Sequence, residues 1–401
     1  MLNRRTLLAA SGALLAAPRL SQAADLTGVT ADEIKIGNVM PYSGPASAYG
    51  VIGKLEQAYF KAINDAGGFQ GRKLNFITYD DGYSPPKTVE QTRRLVEQDK
   101  VSFVFNSLGT PTQSAVHRYM QQRKVPHLFL ATGADKWADP QNFPWTIGWQ
   151  PSYRTEAQIY AKAMLEQKPN AKMALLYQND DFGKDYLAGV RDVLGARFDT
   201  MVKAVSHEVT DATIDSQVVQ LHSLGCDVLL TATTPKFAAQ TIRKVFDIGW
   251  RPALHFITNV SISVAAVMNP AGAEKGVGII TSAYLKDPTD PAWANDTGMK
   301  EWRDWMKAHM PDANQDDGNY VYSYGVCKTI MQVLTQCNGD FSRENVMKQA
   351  TSLNRVANPS LINGITVSTS GTNYHPIKQM QLAKWDGRTF ARFGNIIEGA
   401  G

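Results

Sequence analysis

The chain has 401 residues, 43% of them hydrophobic, and a formal charge of +4 spread over 41 Lys and Arg and 37 Asp and Glu. That length suits two compact units, and basic residues so scattered exclude nucleic acid or an anionic membrane surface as partner. Three cysteines, Cys226, Cys327 and Cys337, exclude a disulfide framework, and each is expected to be a small buried hydrophobe.

The first 23 residues pair Arg4 and Arg5 with an apolar run from Leu7 to Ala17 and end in Ser21-Gln22-Ala23. They read as an export signal of the Sec or the twin-arginine type, removed at a small-residue site. No cysteine follows the expected cleavage point to carry a lipid, so a periplasmic location is expected. Removing the three arginines of the leader leaves a mature charge of +1. No later segment approaches the roughly 20 apolar residues of a membrane-spanning helix, so no stable membrane insertion is expected.

From Ile34 the chain alternates as a strand, and Val51, Ile52, Leu55, Ala58, Tyr59, Ala62 and Ile63 then recur at helical spacing before a second strand ending in Asp80-Asp81. The loop Tyr42 to Gly50 lies at the carboxyl end of the first strand, where parallel sheets present backbone groups to small molecules. Pro85-Pro86 opens a helix, Val101 to Phe105 is a buried strand, and Thr110-Pro111-Thr112-Gln113 predicts a helix start with Thr110 as N-cap and Gln113 reaching back. Pro126 to Ala131 is the next strand. The stretch Gln141 to Pro151, with two tryptophans and prolines, reads as a crossing between units.

The same grammar then resumes. Helices are expected from Arg154, from Gly183, over Ala212 to Leu224 and over Lys236 to Ile248, alternating with strands at Met173 to Tyr177, Met201 to Glu208, Asp227 to Ala232 and Ala253 to Thr258. Gly276 to Tyr284 carries the chain back to the first unit, where helices span Trp293 to His309 and Tyr320 to Gln336 and a third starts at Ser342. The tail from Ile377 to Phe393 alternates as strands around a turn at Asp386-Gly387. Repeated β-α order predicts an α/β protein of two open, mostly parallel sheets flanked by helices.

Catalytic signatures are missing: no GxGxxG, phosphate loop, GxSxG elbow or HExxH is present, and no two of the seven histidines are spaced as zinc ligands. The reading is therefore of a non-enzyme without cofactor or metal. Asp80-Asp81 and Asp180-Asp181 are better read as turn caps than as an acid-base pair. Neutral groups at strand ends, Ser107-Leu108-Gly109-Thr110 and Ala131-Thr132-Gly133, suit reversible binding of a carboxylate by free amides at a helix start.

These features resemble the periplasmic leucine/isoleucine/valine-binding proteins, solute receptors of hydrophobic amino acid ABC transporters. The resemblance covers nearly the whole mature chain. It rests on Ile34-Lys35-Ile36-Gly37, Ser43-Gly44-Pro45, Tyr49-Gly50, Ala66-Gly67-Gly68, Gly71-Arg72-Lys73-Leu74, Tyr79-Asp80-Asp81, Thr112-Gln113, Ala131-Thr132 and Asp181-Phe182-Gly183. It implies a two-lobed type I fold with three hinge crossings, lobe 1 at 24–149 plus 283–374 and lobe 2 at 150–282 plus 375–401. It implies a monomer that delivers a small ligand to a membrane permease.

Carried over by position, Tyr42 and Tyr49 offer rings, Leu108, Gly109, Thr110, Ala131, Thr132 and Gly133 form the carboxylate seat, and Phe182 and Thr233 face them from lobe 2. The region that supplies an acidic partner for an amino acid's ammonium in these receptors reads Thr258-Asn259-Val260-Ser261-Ile262 here. Asn259 and Val260 are site candidates, and neither is acidic. An unpaired buried ammonium costs several kcal/mol, so an aromatic or other apolar organic acid is the preferred ligand. Branched-chain amino acids are the alternative, with Asp181 as a substitute acid, and a periplasmic ligand sensor is the second alternative.

Overall fold

A central strand covered on both faces must be apolar at nearly every position. β1 (Glu33–Met40) meets that demand from Ile36 onward, where every residue is buried and only Asn38 is polar. The structure, a computed structural model, describes residues 24–399, so the export-signal reading falls on residues outside it. After β1 come α1 (Gly50–Asp65), β2 (Lys73–Asp80), α2 (Pro85–Arg93), β3 (Phe103–Phe105), α3 (Thr110–Arg123), β4 (His127–Leu130) and β5 (Thr146–Gly148). The five strands form one parallel sheet in the order β2-β1-β3-β4-β5.

The chain next builds α4 (Tyr153–Gln167), β6 (Met173–Gln178), α5 (Asp181–Leu194), α6 (Phe198–Met201), β7 (Val202–His207), α7 (Asp215–Ser223), β8 (Val228–Ala232), α8 (Pro235–Asp247), β9 (Leu254–Ile257), α9 (Asn269–Ala271) and β10 (Ile280–Ala283). It returns to the first sheet with α10 (Thr297–His309), α11 (Gly318–Gln336) and α12 (Arg343–Ala350). There the Ser323 hydroxyl donates to the Ile52 carbonyl at 2.9 Å, and the Trp149 indole donates to Thr329 at 3.0 Å. Buried Arg343 donates to the carbonyls of Val101 and Ser102. Finally β11 (Gln379–Trp385) joins the second sheet antiparallel to β10, and β12 (Phe390–Glu398) pairs antiparallel with β11, giving the order β12-β11-β10-β9-β8-β6-β7. The architecture is the two-lobed α/β arrangement of two mostly parallel sheets.

Three local expectations are corrected. The Thr110 capping box does not form: Gly109 occupies the cap, the Thr110 hydroxyl pairs with Thr132 at 2.6 Å, and the Gln113 amide turns to the Leu108 carbonyl at 3.2 Å. A buried hydroxyl partner outcompetes the local backbone. The stretch Gln141 to Pro151 is not simply a crossing, because β5 within it pairs with β4 as the edge of the first sheet. α10 starts at Thr297 under an Asp296 cap rather than at Trp293, because Asp290 and Pro291 close a separate 3₁₀ turn first. Cys226, Cys327 and Cys337 are buried free thiols, as expected of small hydrophobes.

Candidate functional site

The carboxyl ends of β3 and β4 deliver two turns to the gap between the sheets. Gly109 shapes the first: its φ is +110°, and a Cβ there would sit 2.5 Å from both the Thr112 hydroxyl and the Tyr83 ring. Only glycine takes that geometry without strain. α3 begins one residue later, and among the described residues its first amide, that of Thr110, has no backbone acceptor. A helix start with a free amide and the positive dipole end is an anion seat that needs no cationic side chain. Gly44 performs a similar service nearby, since a Cβ on it would lie 2.3 Å from the Gly82 carbonyl.

The opposite wall comes from the second sheet. Phe182 and Tyr153 meet edge to face with ring centroids 4.7 Å apart, and Tyr186 stacks behind Tyr153. Asp180 caps α5 by accepting from the amides of Phe182 and Gly183, which fixes the first ring. Thus the Asp180 carboxylate is a cap, as its sequence position suggested, and burial pushes its pKa up to about 6. Asp181 turns away from the cavity to Lys136, 2.9 Å distant, and to the Ser114 hydroxyl.

A cavity with about 100 Å³ of room for water-sized groups, partly open to solvent, lies between these walls. Of the twelve residues proposed from the sequence, Tyr49, Leu108, Gly109, Thr110, Ala131, Phe182, Asn259 and Val260 line it. The other four do not, and each has a physical reason. Tyr42 faces the flank of β2, bonded to Thr78 at 2.8 Å and to Gln57, and burial pushes its phenol up to about 12. Thr132 is consumed by Thr110, the Ala134 amide and the Trp137 indole. Gly133 is packed against the Pro151 carbonyl and the Tyr153 ring. Thr233 is buried with its carbonyl bonded to Ser261, and Thr234 lines the cavity in its place.

Sequence reasoning missed Tyr83, Gln150, Tyr153, Tyr284, Tyr322 and the group Lys286, Asp287, Asp290, Trp293, Phe390 and Arg392. Their positions at strand ends and at the start of a helix carried a weak signal. Their convergence depends on how the return helices and the final hairpin dock.

The Asn259 turn itself holds no acid, but two acids from another segment, Asp287 and Asp290, line the cavity. Both are already engaged. Asp287 accepts from the Thr289 amide and hydroxyl at 2.8 Å, and Asp290 caps its turn at the Ala292 amide, also 2.8 Å. A third acid, Glu156 of α4, is wholly buried behind Asn259. It accepts from Tyr160, Tyr186 and the Asn259 side chain, and from the Asn259 amide at 2.7 Å. Burial raises its pKa to about 7 despite those donors. The arrangement clamps the Asn259–Val260 turn to α4. Across the cavity the Tyr49 hydroxyl donates to the Val260 carbonyl at 2.8 Å, and the Ser263 hydroxyl donates to Asp317 at 2.9 Å, so the two walls meet directly.

Among the described residues no cluster of three metal-ligating side chains occurs, and no helix is long and apolar enough to cross a membrane. Residues 33–389 match the family model described as periplasmic binding protein. A Leu/Ile/Val-binding protein homolog of Brucella suis is 24% identical over 335 residues, covering 80% of this chain and 82% of that one. A branched chain amino acid ABC transporter protein from Thermus thermophilus, solved with bound valine, superposes with a TM-score of 0.80 at 14% identity, covering 93% and 98% of the two chains. A solute binding protein of an ABC transporter from R. palustris, solved with 4-hydroxybenzoate, does so with 0.76 at 16%, covering 92% and 98%. The chain belongs to the periplasmic binding protein family, whose members are solute receptors of ABC transporters rather than enzymes.

Proposed function

We propose that this family member captures a small carboxylate with an apolar, preferably aromatic, body and hands it to an ABC permease after export to the periplasm. One observation carries the reading: a helix start with a free amide lines the cavity, whereas the acids that line it, Asp287 and Asp290, stand on another segment, each holding its own turn and Asp290 also facing Arg392 at 3.7 Å. At the α3 start an ammonium would lose its hydration without gaining a counter-charge, whereas a carboxylate there would gain the α3 dipole and amide. Tyr153 and Phe182 supply a ring wall worth roughly 0.5–1.5 kcal/mol per aromatic pair beyond the area buried. The lobes inferred from the sequence, 24–149 with 283–374 and 150–282 with 375 onward, are the two bodies that would close.

A branched-chain amino acid receptor is the second reading, favoured by the valine in the Thermus thermophilus relative. Thermal unfolding with leucine, phenylalanine, benzoate and cinnamate separates the two. A true ligand at a hundred times its Kd adds about 2.7 kcal/mol. Stabilisation by benzoate or cinnamate and not by leucine is expected; the reverse pattern replaces this reading with the second.

A further inference from the structure

The cavity has a second polar end. Apart from the Gly109–Thr110 seat, the return segment and the last hairpin bring Lys286, Asp287, Asp290, Trp293 and Arg392 to its lining. The Arg392 guanidinium lies over the Trp293 ring, 4.0 Å from its centroid. Trp293 is only 4% exposed, and its indole Nε1 has no acceptor; the buried Nε of Arg392 has none either, its nearest carboxylate oxygen, on Asp290, being 3.7 Å away. Buried donors without partners are rare in proteins. Among the described residues sixteen buried side-chain atoms lack a partner, and these two stand out because they lie on stacked neighbours that line a ligand cavity.

The charges around them narrow its kind. Lys286 is spent on Asp296 at 2.7 Å and on the Pro359 carbonyl at 3.0 Å. That leaves one cation, Arg392, against Asp287 and Asp290, so a second carboxylate or a phosphate would meet excess negative charge. An ammonium brings only donors, and the two unpartnered groups here, the Trp293 indole and the Arg392 guanidinium, are donors as well. A neutral oxygen satisfies both donors without either penalty. The lining also includes apolar Ile262, Val264 and Leu285, suited to an apolar ligand body.

We infer that Trp293 and Arg392 form a distal subsite for a neutral acceptor oxygen, a hydroxyl or carbonyl, at the far end of the ligand's apolar body. The inference rests on the carboxylate reading above and specifies the substrate class: an acid oxygenated at the end remote from its carboxylate. Dissociation constants measured by calorimetry for three pairs, benzoate and 4-hydroxybenzoate, cinnamate and 4-hydroxycinnamate, octanoate and 8-hydroxyoctanoate, test it. At least one hydroxylated member is expected to bind about tenfold tighter than its partner, the return for satisfying a buried donor. Trp293→Phe, which keeps the ring under the guanidinium and removes only the donor, and Arg392→Gln should each shrink that ratio toward one. If acids bind but no pair differs by more than about twofold, the subsite is refuted while the carboxylate reading stands. If no acid binds at all, both fall. The ratio in the unmodified protein decides the matter even where a variant fails to fold.

Discussion

The two walls of the cavity hold their shape by different means. The first-sheet wall is backbone: Gly109 at φ +110°, a helix start and small side chains within a few residues of one another. The second-sheet wall is a side-chain network in which Glu156 reaches Asn259, 103 residues away, through direct bonds and Thr258 through Tyr186. A turn written in consecutive residues tolerates little change of residue type but is independent of the rest of the molecule. A network of buried polar groups tolerates conservative change at single members but is sensitive to protonation, because a charge in its middle has no solvent.

The contrast can be broken at its rigid side first. Gly109→Val places branched atoms where a Cβ alone already meets Thr112 and Tyr83 at 2.5 Å and imposes a left-handed backbone on a β-branched residue. Strain of about 1–3 kcal/mol plus displacement of the Thr110 amide should lower affinity about a hundredfold or more, read by calorimetry. Retained affinity would show that the first wall is not held by its backbone.

The network side predicts a pH dependence of opposite character. Glu156 has a folded pKa near 7 against an unfolded value near 4.5, so the folded state binds its proton more tightly. Its contribution favours folding below about pH 4.5 and is lost as pH rises toward 7, an effect on the order of 3 kcal/mol. The stability difference between Glu156→Gln and the unmodified protein, measured by chemical denaturation, should therefore shift in favour of the variant as pH rises from 4.5 to 7.5. A difference independent of pH would mean that Glu156 stays ionised in the folded state and that its donors outweigh its burial.

The smallest effect is expected where the walls touch. Tyr49→Phe removes the hydroxyl that donates to the Val260 carbonyl and should cost about 0.5–1.5 kcal/mol of closure, a severalfold loss of affinity. Solution scattering of the ligand-saturated variant should show the same compact form with a weaker ligand dependence. An unchanged Kd would assign closure to other contacts, such as Ser263 with Asp317.

How much of this was legible beforehand follows the same division. The β-α order, the Leu108–Thr110 and Ala131 turns, Tyr49 and the Phe182 turn were readable because each is a local pattern at a strand end. Tyr42 was placed in the site by the same rule and is not there, because its ring tucks under α1 against Gly53, where a Cβ would strike its hydroxyl. Glu156 gave no sign, since an acid in the first turn of a helix ordinarily faces water; only the packing of α4 against the β9 loop buries it. Trp293 and Arg392 lie 99 positions apart in sequence and meet because β12 returns beside the segment after β10.

The sequence by itself determined two α/β sheets, the glycine-shaped turn before α3 on the first and the absence of an acid at the Asn259 turn, since all depend on residues within one or two turns of one another. Tertiary structure alone decided which acids are buried and engaged, which rings face the cavity and what stands at its far end. Those properties arise where separate segments exclude water together, and exclusion of solvent belongs to the packed molecule rather than to any stretch of the chain.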